Sequence, residues 1–82
     1  MSRVQIQVRH FYHKAERRTT RFLEVFDLGR GEHEVTMRDV CHYKRTEKSI
    51  LCWKFDSELK ALMNADNIAA RLIEAGYKEM RR

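Results

Sequence analysis

FDSELKALMNADNIAARLIEAGY, residues 55–77, is the one stretch long enough and patterned enough to read as a helix, and its placement decides the fold. Asp56 and Ser57 can accept hydrogen bonds from the free amides of a first turn, Glu58 adds negative charge there, and Gly76 permits a left-handed stop. On a wheel of about 100° per residue, Leu59, Leu62, Met63, Ala70, Ile73 and Tyr77 share one face, with Ile68 and Leu72 nearly opposite. Asp66 falls inside that apolar face, where a straight helix would bury it. Asn64-Ala65-Asp66-Asn67 therefore reads either as a kink in one helix or as a break at which Asp66 caps a second.

Everything upstream reads as strand. In RVQIQVRHFYH (3–13), Val4, Ile6, Val8, His10 and Tyr12 alternate with Gln5, Gln7, Arg9, Phe11 and His13, the pattern of a half-buried strand. Lys14 to Arg18 is a short polar turn. TTRFLEVFDL (19–28) is β-branched and aromatic, apolar on both faces, as a strand covered on two sides would be. Gly29-Arg30-Gly31-Glu32 is the strongest turn signal, because its glycines permit the positive φ of a tight hairpin. From Glu34 to Tyr43, Val35, Met37, Cys41 and Tyr43 alternate with Thr36, Arg38 and Val40, and Asp39 reads as the mark of a bulge. Lys44 to Lys48 is a second charged turn, and Ser49 to Phe55 a fourth strand with Leu51, Trp53 and Phe55 inward.

The order ββββα predicts an α+β domain: a four-stranded antiparallel meander with one long C-terminal helix, kinked or broken, packed across one face. The lengths agree, since about 20 helical residues and about ten strand residues both span roughly 30 Å. The competing reading is a helix-turn-helix in the last third, with residues 67–75 as the reading helix. Its polar contacts would be Asn67, Arg71 and Glu74, a poor clamp for phosphate.

Composition bounds the rest. Eighty-two residues, 43% hydrophobic, predict a single domain over 1–82 that uses most of its apolar side chains in one core. Cys41 and Cys52 follow no signal-peptide pattern and are expected as free thiols in a reducing, cytoplasmic setting. No apolar run approaches the roughly 20 residues that cross a bilayer, which predicts a soluble chain.

The net charge of +5 favours an acidic partner, and topology concentrates it. In a meander, the first and third turns share one end of the sheet, and a helix running back from the fourth strand brings the C-terminus there. Lys14, Arg17, Arg18, Lys44, Arg45, Lys48, Lys78, Arg81 and Arg82 then face only Glu16, Glu47 and Glu79. That local excess of +6 leaves the rest of the chain at −1. His10, His13, His42 and Phe11 lie near, and Tyr12 and Tyr43 are candidates for stacking on bases. Two functions fit. One is a non-enzymatic nucleic-acid-binding module that contacts mainly phosphates. The other is a small protein-binding inhibitor or regulator, of the kind mobile elements encode, that docks on an acidic protein surface. An uncovered first or last strand could also pair with a second copy.

Catalytic and metal chemistry find little support. His10 and His13 are three apart on a strand and face opposite ways, as do neighbours Cys41 and His42, so no adjacent chelate or Cys-His pair forms. Cys41, Cys52 and Trp53 read as core residues. No glycine-rich phosphate loop or nucleophile elbow occurs.

Arg21-Phe22, a glycine-containing turn, a strand pair, WKFDSELKAL and a helix closing in RLIEAGY, spanning residues 21–79, form an order of elements similar to that of WGR domains. The resemblance implies binding to nucleic-acid ends. The Trp-Gly-Arg signature itself is replaced by DVCHYKR (39–45), so no site residue carries over.

Overall fold

Strand pairing in the computed structural model, which describes residues 3–80, follows the turn chemistry of the chain. Strands β1 (Val4–His13), β2 (Glu16–Gly29), β3 (Glu32–Cys41), β4 (Thr46–Phe55) and β5 (Tyr77–Met80) form one antiparallel sheet in the order β4-β3-β2-β1-β5. Helix α1 (Glu58–Glu74) joins β4 to β5. The first four strands are the expected meander, and α1 lies across one face. No helix among the described residues is long and apolar enough to cross a membrane.

The central hairpin closes on Arg30 and Gly31, both left-handed (φ 56° and 79°), the two-residue geometry whose twist matches the flanking strands. Asp27 secures its entry, accepting from the Gly29 amide at 2.8 Å. The register then aligns Arg9, Leu23, Met37 and Leu51 across the sheet, and beside them Gln7, Val25, Val35 and Trp53. This face meets the helix. Phe11, Leu23, Val25, Val35 and Met37 pack against Ala61, Ala65, Ala69 and Leu72, with Leu51, Phe55, Leu62, Ile68 and Tyr77 at the margin.

The helix is shorter than expected and turned differently. Phe55 belongs to β4 and Tyr77 to β5; Ser57 caps the start, accepting from the Lys60 amide at 3.3 Å. It runs without interruption from 58 to 74, which removes the helix-turn-helix reading and the break at Asp66. The inward face is the alanine row, and Leu59, Met63 and Ile73 are exposed. Alanines let the helix backbone come close to the sheet, and the bulkier stripe is displaced outward. Asp66 therefore stands in solvent rather than in the core, its side chain 69% exposed and bonded to Arg9. At the far end, Gly76 (φ 100°) ends the helix, and a Cβ there would lie 2.9 Å from His13 Nε2.

The faces of β1 are reversed relative to expectation. Phe11 is fully buried under the helix, whereas Val4, Ile6 and Val8 are exposed. A bulge between Gln5 and Gln7 shifts the strand, and Arg9, on the helix face, is neutralised there instead of being solvated. The double-sided apolar character of β2 also has a cause other than two layers. Leu23 and Val25 face the helix; on the open face Arg3 lies 4.0 Å from the Phe26 ring centroid and bonds Glu34. Arg38 lies 4.5 Å from the Phe22 centroid and bridges Glu24 and Glu47. Long side chains laid flat stand in for a second layer.

Two boundaries move. β2 begins at Glu16, so the first turn shrinks to Lys14-Ala15 and residues 17 and 18 belong to a strand. β4 begins at Thr46, and the bulge sits in β4 at Ile50, between the pairs Met37·Leu51 and Arg38·Ser49, not at Asp39. Trp53 is on the helix face but at the sheet edge, 53% exposed, and so is not a core residue; Cys52 is exposed as well. β5 is an addition: it pairs with residues 10–13 of β1 and leaves residues 4–9 of that strand, its own outer side and all of β4 as edges.

Candidate nucleic-acid interface

The register carries the first and third turns, the start of β4 and the start of β5 to one end of the sheet, and α1 ends there too. Lys14 sits at the first turn, Arg18 on β2, Lys44 and Arg45 in the third turn, Lys48 on β4 and Lys78 on β5, all exposed. Arg17 is in β2, and its side chain lies outside the described set. Arg81 and Arg82 lie outside the described residues. Of the two aromatic candidates, Tyr43 is 74% exposed, with the Arg18 guanidinium 5.0 Å from its ring centroid, whereas Tyr12 is half-buried opposite Lys78.

α1 starts after β4, at one edge of the sheet, and ends before β5, at the other, so the corner over β2, β3 and the start of β4 lies away from its last turn. A trough of about 480 Å³ opens there, lined by Arg18, Thr19, Tyr43, Lys44, Thr46 and Lys48, with Glu16, Asp39 and Cys41. A smaller depression of about 140 Å³ continues it past Arg21 and Asp39 to His13 and Tyr77.

Between the two depressions, Arg21 donates to both Asp39 oxygens, Nε at 2.7 Å and Nη2 at 2.9 Å, and stacks 4.9 Å from the Tyr77 centroid. The Asp39 bonds raise the already high pKa of Arg21, against the opposing cost of partial burial. That divider spends its charge internally. So do three further arginines: Arg3 on Glu34, Arg9 on Glu79 and Asp66, and Arg38 on Glu24 and Glu47. Two of the three acids expected to offset the basic end, Glu47 and Glu79, are thus already bonded to face arginines. Among the described residues, Lys14, Arg18, Lys44, Arg45, Lys48 and Lys78 take part in no ion pair. Arg30, Lys54 and Arg71, elsewhere, share that condition.

Arg21 and Asp39 escape a reading by motif: the two-residue turn alone would set Arg21 opposite Val40, and the register shift between Asp27 and Gly29 brings Asp39 there instead. His10 rests on Phe22, with centroids 4.4 Å apart, and His42 bonds Thr20 at 2.8 Å, so these rings serve the open face. No three His, Cys, Asp or Glu side chains cluster as metal ligands among the described residues. No family model matches this chain, and no curated protein or solved structure matches it.

Proposed function

We propose that the protein is a small, non-enzymatic nucleic-acid-binding module that works in the reducing cytoplasm and grips its ligand with the basic end. What supports the reading is the division of labour among cations: arginines on the sheet faces are tied to carboxylates, while those around the trough are unpaired among the described residues. Arg18, Lys44 and Lys48 stand around the trough as lone charges suited to phosphate oxygens, and Arg18 and Tyr43 offer a flat surface on which a base can stack. Recognition through such contacts is of backbone rather than sequence. Unbridged Cys41 and Cys52 accord with a reducing compartment.

The test is a titration of oligonucleotide binding against salt. Engagement of phosphates predicts a linear fall of log affinity with log salt, about 0.9 per duplex phosphate contacted and about 0.7 per single-strand contact. The same cations would also suit an acidic protein surface, as an inhibitor or regulator would use. Absence of oligonucleotide affinity even at low salt would favour that partner and end the nucleic-acid reading.

A further inference from the structure

β4 is a ten-residue edge strand without proline, and eight of its residues are exposed, Ile50, Cys52 and Trp53 among them. Such an edge presents a full row of unpaired backbone donors and acceptors. We propose that it is closed by β4 of a second copy, running antiparallel about a two-fold axis at Leu51, so that the two sheets become one.

The bulge at Ile50 is what makes the strand complementary to itself. In a regular strand Glu47 and Lys54 would point to opposite faces. The extra residue resets the alternation: Glu47 opposes Val40 and Lys54 opposes Glu34, both on the open face, while Lys48, Leu51 and Trp53 share the helix face. With Leu51 opposite Leu51 of the second copy, Ser49 faces Cys52, Lys48 faces Trp53, and Glu47 faces Lys54. Each pair is on one face, and each occurs twice by symmetry. Lys54 has no carboxylate partner among the described residues, and Trp53 no cation within stacking distance, so both would gain one. The groove beside them, about 420 Å³, with Met37, Leu51, Trp53, Ile68 and Leu72 on its floor and walls and Asn64, Asn67 and Arg71 of the helix along it, would lie next to the joint. On the other side of the sheet, residues 4–9 of β1 lack this property: they contain no acid, so self-pairing there would give Arg9 no carboxylate across the seam.

Sedimentation of the full chain without nucleic acid, from micromolar to submillimolar concentration, should show a reversible monomer-dimer equilibrium. Glu47→Lys and Lys54→Glu should each weaken it about tenfold or more, by setting like charges opposite each other. The double exchange should restore it, which loss of the Arg38 contact alone would not allow. Ser49→Cys in a Cys41→Ser background reads the register directly: mild oxidation should give a covalent dimer through Cys52, whereas Thr46→Cys in the same background should not, because residue 46 faces Phe55. A chain that stays monomeric throughout, a double exchange that fails to restore association, or equal cross-linking from residues 46 and 49 would overturn the proposal. Because no oligonucleotide is present, failure here leaves the basic trough as it stands, and failure of the salt titration leaves the dimer as it stands.

Discussion

Arg9 grips Glu79 with two nitrogens, Nε to Oε2 at 2.9 Å and Nη2 to Oε1 at 2.7 Å, while its remaining nitrogen reaches Asp66 at 2.9 Å. One guanidinium thus ties together a strand from the start of the chain, a helix and the last strand. Its charge is held more firmly than usual, first by the Glu79 hydrogen bonds and then by the two carboxylates, against partial burial.

Arg9→Met should therefore lower stability by about 1.5–3 kcal/mol, the range for hydrogen bonds to charged groups that are partly shielded. Asp66→Ala removes only the exposed branch and should cost no more than about 1 kcal/mol. Urea midpoints for the two variants check the order; equal losses would show that the bond to Glu79 carries no special weight.

Gly76→Ala is expected to destabilise by more than the roughly 1 kcal/mol that a left-handed alanine costs, because its methyl also meets His13. Combining it with His13→Ala should recover the steric part and leave the conformational part. Thermal unfolding of the single and double variants separates them.

Arg30→Asn should raise stability by up to about 1 kcal/mol, since asparagine tolerates the left-handed conformation that Arg30 adopts and Asn-Gly suits a two-residue hairpin loop. A shift in the denaturation midpoint with unchanged denaturant dependence is the expected signature.

Lys44→Ala, Lys48→Ala and Arg18→Ala should each weaken oligonucleotide binding and flatten its salt dependence by about one unit. Arg30→Ala and Lys60→Ala should change little, because about ten strand residues, roughly 30 Å, separate them from the trough and screening acts over about 8 Å. Fluorescence anisotropy across a salt series measures both; equal effects from the two ends would mean that the charge is not focused.

Alkylation of Cys52, followed in Cys41→Ser, should rise with pH through a value above the ordinary 9.0. Partial desolvation, and then the neighbouring Glu34 charge, raise its pKa. Glu34→Gln should move the rise downward. The unfolded thiol ionises first, so this group's contribution to stability is present below pH 9 and falls away as pH climbs through the folded value.

The meander was readable because its determinants are local. Gly29 and Gly31 fix one hairpin, and from Asp27 opposite His33 onward β2 and β3 pair residue by residue, although the one-residue shift at Leu28 that sets this register carries no signal of its own. The inward face of α1 was not readable from hydrophobicity alone, since Ala61, Ala65 and Ala69 are chosen by how close the backbone must come, not by how much apolar surface they carry. Val4, Ile6 and Val8 misled for a related reason: alternation defines two faces but not which one a narrow helix covers. β5 escaped because four residues after a helix stop show no period. At the basic end, topology put the cations together in advance, but which of them were already committed to carboxylates depended on cross-strand neighbours such as Arg21 and Asp39.

The clamp between residues 9 and 79 also imposes an order in time. A chain emerging from the ribosome makes β1 well before β5, which pairs with residues 10–13 of that strand. Until residues 77–80 emerge, Arg9 lacks Glu79 and the side of β1 that β5 covers remains open to other strands. Closing so distant a contact is slow compared with forming the hairpins, so the nascent protein passes through a meander whose first strand is unguarded. Aggregation during synthesis, rather than instability once made, is the vulnerability this arrangement creates.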